Sequence, residues 1–206
     1  MLTFLAGWAS NSPDALPALP TDRYGYFNNA AYLGPATGGI ASFLLLTLFT
    51  FSFGVVSGSH LNPTITFATF VARLTSLPRA VLYMSFQTAG ATLGWLFLRA
   101  GLGSRDFKVG GCWLFPEVVP IRDAFAIEFV ACTALLFCAF GVGLDPRQHK
   151  VIPPALSPFL VGMTVGTIGW MTGYTRYGYG GASMNPARCF GVYVGSRFRS
   201  WHWIHW

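Results

Sequence analysis

Four stretches of the chain are apolar over the length of a bilayer crossing. A hydrocarbon core about 30 Å thick takes about 20 helical residues. Gly38 to Val56, Ala80 to Leu98, Ala124 to Leu144 and Val151 to Thr175 all read as spanning helices on that measure. The first and last runs carry no charge. The second is bounded by Arg79 and Arg99. The third lies between Asp123 and Asp145 and holds Glu128 as its only charge. Pro153 and Pro154 fall near the start of the fourth run, where a helix tolerates proline. Polar connections separate the runs: Asn11 to Asn29, rich in proline, Gly101 to Arg122, and a short hairpin from Asp145 to Lys150. Gly90 with Gly94, and Gly162 with Gly166, have the small-xxx-small spacing that lets membrane helices pack closely.

Composition narrows the class. Of 206 residues, 53% are hydrophobic and 10% charged, against about 25% charged in a soluble domain. Mean hydropathy is +0.50. A disordered chain, a coiled coil and a disulfide-stapled secreted domain are excluded. The net charge of +6 is scattered, so nucleic acid is not an expected partner. Cys112, Cys132, Cys138 and Cys189 form no C-x-x-C pair, and neither a zinc site nor a disulfide framework is expected. Met1 to Ser10 is apolar but lacks the basic start of a signal peptide. The expectation is an all-α, multi-pass integral membrane protein.

Two segments break the pattern. Ser57 to Phe70 reads SGSHLNPTITFATF, and Gly180 to Phe190 reads GGASMNPARCF. Aligned, they share Gly58 with Gly181, Asn62 with Asn185, Pro63 with Pro186 and Phe67 with Phe190. This is an internal repeat. An asparagine before proline is biased out of the helical region, and the proline suits a first helical position. Each segment therefore predicts a half-helix, Thr64 to Ala72 and Ala187 to Gly195, too short to span. Irregular backbone at membrane depth is tolerated only where it is buried or lines a cavity. One half-helix in each half of the chain points to a central site in an inverted-repeat fold. Two helix N-termini, each carrying about half a positive charge, repel cations there. The amides of Asn62 and Asn185 can donate to a passing water and interrupt a proton wire.

The motif pair resembles the major intrinsic protein family, the aquaporins and aquaglyceroporins. Ser57-Gly58-Ser59-His60-Leu61-Asn62-Pro63-Thr64 resembles the family's first signature loop, with Thr64 where alanine is usual. Met184-Asn185-Pro186-Ala187-Arg188 resembles the second in full. Gln87 with Gly90-Ala91, and Glu128-Phe129 with Thr133, resemble the third and fourth helices. The resemblance implies a single channel domain over 1–206, its first half 1–102 with a re-entrant loop at 57–72, its second half 122–206 with a re-entrant loop at 176–195. It implies passive passage of water and small neutral solutes such as glycerol, a homotetramer in a lipid bilayer, and no cofactor, metal or catalytic residue. No Ser-His-Asp, HExxH or phosphate-loop pattern favours an enzyme.

Single residues take roles from the same resemblance. Arg188 stands where the family keeps its selectivity-filter arginine. Glu128 is implied as a brace for a signature loop, since no second acidic residue lies in any run to support a proton carrier. His60 and Gln87 are structural support, His60 by packing or loop fixing. Family spacing places the other filter positions at Ser42 and Ala182, with the fifth-helix position at Gly169 or Gly173. All are small, which suggests a wide filter. No functional role is assigned to Cys189. The family has six spanning helices. Met1 to Ser10 resembles the last turns of the first, and Trp201 to Trp206 the start of the sixth, so both are expected to be largely missing. A coupled transporter and a non-conducting family member are the alternatives.

Overall fold

A computed structural model describes residues 11–12 and 30–206, with side chains from residue 34 onward. The expectations for Met1 to Ser10, and for the proline-rich connection over 13–29, lie outside the described residues. Asn11–Ser12 (β1) pairs antiparallel with Lys108–Val109 (β2). That short ladder departs from the loop expected for Asn11 and from an uninterrupted loop over Gly101 to Arg122.

The first three apolar runs form long helices. These are α1 (Ala30–Ser57), α3 (Leu77–Leu102) and α4 (Ile121–Ala139), the last continued by a π-helical turn over Phe140–Leu144. Among the described residues, three helices are long and apolar enough to cross a membrane: Gly34–Ser57, Leu77–Leu102 and Ile121–Leu144. The fourth run falls short. Its helix α5 spans Ser157–Gly173, 17 residues, or roughly 25 Å at 1.5 Å per residue. Val151 to Leu156 forms turns instead, and Pro153 and Pro154 lie ahead of the helix rather than inside its first turn. The expected hairpin after α4 is a 3-10 turn, Pro146–Lys150, capped by the Asp145 carboxylate, which accepts from Arg147 N at 2.9 Å. The Arg147 guanidinium and that capping bond hold the Asp145 carboxyl down at about 2.

Both half-helices form where the Asn-Pro pairs predict. Helix α2 is Pro63–Val71 with Asn62 as N-cap, and α6 is Pro186–Gly195 with Asn185 as N-cap. The chain closes with a 3-10 turn over His202–His205 rather than the start of a regular helix.

Glycines set two helix contacts. Where α5 crosses α1, a Cβ on Gly166 would stand 2.6 Å from Gly39 O, and one on Gly162 would stand 2.8 Å from Phe43 O. The Gly162 and Gly166 spacing therefore permits close packing as expected. Gly90 does not take part. It is exposed, and a Cβ there would meet nothing within 4 Å. The close face of α3 is instead Ala91, Gly94 and Trp95, all buried. Gly191 of α6 sits so near that a Cβ would lie 2.7 Å from Ala91 O. Gly90 and Gly94 are four apart and equally apolar, so sequence spacing alone does not say which faces a neighbour. Outward faces remain apolar, with Phe137 83% and Phe86 74% exposed. On this scale such exposure fits lipid as the surrounding solvent. The fold is an all-α membrane bundle.

Candidate solute pathway

The two signature loops share two backbone turns, and the first adds a third at Ser59 (φ 48°). Gly58 and Gly181 both adopt positive φ (75° and 90°), and so do Leu61 and Met184 (53° and 56°), the residues immediately before each asparagine. A side-chain-bearing residue in that region costs about 1–2 kcal/mol. The conformation bends the chain so that each asparagine caps its own helix. Asn62 Oδ1 accepts from Thr64 N at 2.9 Å, and Asn185 Oδ1 accepts from Arg188 N at 3.2 Å.

The capping bonds fix which side of each amide is nitrogen. Asn62 Nδ2 donates to Met184 O at 2.8 Å, and Asn185 Nδ2 donates to Leu61 O at 3.0 Å. Each loop thus supplies the carbonyl that the other loop's asparagine reaches, and the two half-helix N-termini are locked tip to tip. An amide nitrogen carries two N–H groups. One of each pair is engaged in the lock.

Both asparagines line a cavity of about 590 Å³. It follows α1 from Gly34 to Thr50 and α5 from Pro158 to Gly173. Loop residues Gly58 to Asn62 and Ala182 to Asn185 line it too, as irregular backbone at membrane depth requires. Ser42, Gly169, Ala182 and Arg188 are all among its walls. Gly169 and Gly173 separate here. A Cβ on Gly169 would meet nothing within 4 Å, whereas one on Gly173 would stand 2.7 Å from Pro35 Cβ. Gly169 faces open space, and Gly173 serves the contact with α1.

Glu128 is 2% exposed. Its Oε1 accepts from Met184 N at 2.7 Å and its Oε2 from Ser183 N at 2.9 Å. Tyr179 Oη donates to Oε2 at 3.4 Å. These bonds are those of a brace on the second signature loop. His205 adds a layer that the sequence reading did not anticipate. Its Nδ1 stands 3.4 Å from Glu128 Oε1, and its Nε2 is 2.7 Å from Tyr193 Oη. Thr172 of α5 is a further support, its hydroxyl oxygen accepting from Ala182 N at 3.0 Å.

The first loop is held by neutral groups. Gln87 Nε2 donates to Thr66 Oγ1 at 3.0 Å, and Thr66 Oγ1 donates to Asn62 O at 3.1 Å. His60 Nδ1 is 3.2 Å from the same hydroxyl, and its ring packs edge-on to Tyr83 at 5.4 Å.

The cysteine expectation is overturned. Cys112, between α3 and α4, forms a disulfide with Cys189 across 77 residues. No local spacing marks a pair that far apart, and Cys132 and Cys138 remain free. Arg188, next to Cys189, donates from Nη2 to Gly110 O at 2.6 Å.

Comparison with known proteins shows the family. The family model for the major intrinsic protein family matches residues 27–206. Aquaporin-5 of Rattus norvegicus is 35% identical over 206 residues, covering 98% of this chain and 68% of the relative. A probable aquaporin TIP3-2 of Arabidopsis thaliana is 32% identical over 188 residues, covering 88% and 67%. A probable aquaporin TIP4-2 of Oryza sativa subsp. japonica is 36% identical over 151 residues, covering 73% and 56%. The chain spans between 56% and 68% of the length of these three relatives. With a family match over most of its length and both signature loops in place, the chain is an integral membrane protein of the major intrinsic protein family.

Proposed function

We propose that this protein is a passive channel for water and small neutral solutes such as glycerol, and not an enzyme. The observation that carries the reading is the tip-to-tip pair of Asn-Pro half-helices, whose asparagines line the cavity; each keeps one amide N–H outside the mutual lock for a solute. Two such donors hold a water oxygen and turn its hydrogens outward, which breaks hydrogen-bonded relay of protons along the file. The positive ends of α2 and α6 add electrostatic resistance to cations at the same point.

Arg188 serves as the filter cation, with Ser42, Gly169 and Ala182 forming the rest of the constriction. None of the three has a bulky side chain, so the constriction admits molecules wider than water. Glu128 braces the second loop, and His60 and Gln87 support the first. Assembly as a homotetramer follows from the family reading and is checked by cross-linking in the membrane.

Stopped-flow light scattering on proteoliposomes tests the function. A sucrose gradient is expected to shrink vesicles faster than protein-free controls, and a glycerol gradient to give rapid re-swelling. Ser42→Phe is expected to slow glycerol several-fold more than water. Rates equal to protein-free vesicles overturn the channel reading, and solute accumulation against its gradient would mark a coupled transporter.

A further inference from the structure

The segment between α3 and α4 forms a wall of the cavity, with Lys108, Gly110, Gly111 and Trp113 among the lining residues. It runs antiparallel to the approach to the second signature loop. Gly111 N donates to Gly180 O at 2.6 Å, Gly180 N to Trp113 O at 3.0 Å, and Phe115 N to Gly178 O at 2.8 Å. The Cys112–Cys189 disulfide ties the same segment covalently to α6.

The tie falls beside the filter cation. Arg188 Nη2 donates to Gly110 O at 2.6 Å, and Nη1 lies 3.5 Å from Cys112 Sγ. Among the described residues no carboxylate pairs with Arg188. Its guanidinium is therefore placed by neutral atoms of a segment that the disulfide and the backbone zipper both hold. The fit is close. Gly111 has φ +81°, and a Cβ there would stand 2.8 Å from Arg188 Nη1 and 3.1 Å from Ala182 O. A guanidinium freed from that wall extends toward water, which the channel reading puts in the cavity.

We infer that the Cys112–Cys189 disulfide is a specificity-determining part of the channel, holding the Arg188 guanidinium flat against the cavity wall so that it borders the solute path without crossing it. Cys112, Cys189 and Gly110 act as positioning residues for Arg188. The inference rests on the channel reading above. Breaking the disulfide lets Arg188 swing across the constriction it borders, so glycerol passage falls more than water passage. A disulfide that merely stabilised the fold would lower both by one factor, through fewer working channels.

The experiment uses the full chain in proteoliposomes, with water and glycerol rates measured on the same vesicles. The disulfide is broken in two ways. The first is Cys112→Ser, Cys189→Ser and the double variant. The second is reduction of the assembled wild type by a water-soluble trialkylphosphine. Phosphorus attacks one sulfur and the S–S bond breaks. Water then supplies the oxygen of the phosphine oxide and the two protons of the thiols. Alkylation and mass measurement count two newly labelled cysteines. Cys132→Ser and Cys138→Ser are the controls.

The expected result is a fall in the glycerol-to-water ratio of about three-fold or more, equal in both single variants and the double. The reduced wild type gives the same fall, reoxidation reverses it, and the controls leave the ratio unchanged. An unchanged ratio in reduced, conducting wild type overturns this inference and leaves the channel reading standing. Oxidised wild type no faster than lipid alone overturns the channel reading, and this inference with it. Should the serine variants fail to insert, the reduced wild type decides.

Discussion

The two signature loops share a backbone turn at the glycine and at the residue before the asparagine, though Ser59 at φ 48° has no counterpart in the second loop, and their surroundings are opposite. Both turn through a glycine and a residue at positive φ before the asparagine, and both cap their half-helix with that asparagine. Yet every residue from Gly178 to Met184 is buried, while in the first loop Ser57 and Gly58 are exposed and only Ser59 and Asn62 are buried ahead of Pro63. The second loop is gripped by the Glu128 carboxylate, by Thr172 and by a disulfide-tied segment. The first is tethered by hydroxyls and an amide, as where Ser59 Oγ donates to Phe49 O at 3.1 Å. One geometry is thus held by two means. The lesson is that the Asn-Pro unit dictates the turn, while the surroundings decide how much a local change costs.

Glu128→Ala should have the largest effect. It orphans two buried backbone donors, Ser183 N and Met184 N. At about 1–3 kcal/mol each, the loss is about 2–6 kcal/mol. Thermal unfolding in detergent should show a large drop, with water conduction lost in vesicles. Glu128→Gln keeps one acceptor oxygen and should fall between. No described carboxylate plays this part for the first loop, so no equivalent substitution there should match it. If one does, the asymmetry is broken.

The paired glycines sharpen the comparison. At Gly181 an alanine meets backbone on a neighbouring helix, with Gly173 Cα at 2.7 Å and Gly173 N at 2.9 Å. At Gly58 the nearest atom is His60 Cδ2 at 3.8 Å. Both positions carry the positive-φ penalty of about 1–2 kcal/mol, but only Gly181→Ala adds overpacking, about 1–3 kcal/mol more. Unfolding midpoints of the two variants should therefore separate clearly, and equal midpoints would mean the burial difference does not matter.

The asparagines should instead respond alike. Asn62→Asp and Asn185→Asp each replace a donor to the opposite loop with an oxygen facing a carbonyl. Each should cost about 1–3 kcal/mol and slow water passage by a similar factor. Stopped-flow rates and unfolding, measured together, check this. A large difference between the two would show that the lock is not reciprocal.

What the sequence disclosed follows from where information is local. Asn62-Pro63 and Asn185-Pro186 fix φ, remove an N–H and supply a cap within three residues, so the half-helices were legible to within about a residue. The partners of Glu128 were legible only as a class, because their contacts join residues more than fifty positions apart. Cys112 with Cys189 left no trace for the same reason. Lipid removed another signal. In water, a helix shows its packed face by contrast with a polar one. On α3 exposed Leu93 and Phe97 are as apolar as buried Trp95 and Leu98, so the sequence does not show that the packed stretch takes in Gly94 and not Gly90. The length of α5 failed differently, because hydropathy continues through Pro153 and Pro154 while the helix does not.

Ser59→Ala should give the smallest effect of the series, and it tests the weaker side of the comparison. Ser59 is 5% exposed, and its hydroxyl donates to Phe49 O in α1. That carbonyl belongs to a helical turn, so its second lone pair still has a partner after the substitution. The lost bond is one neutral hydrogen bond, about 0.5–1.5 kcal/mol. Leu61 and Asn62 are held independently through the reciprocal lock, so water passage should stay near the wild-type rate while the unfolding midpoint falls slightly. A loss of conduction comparable to that of Glu128→Ala would mean that the first loop depends on this one tether as heavily as the second depends on its carboxylate. The two loops would then differ in chemistry but not in how firmly they are held.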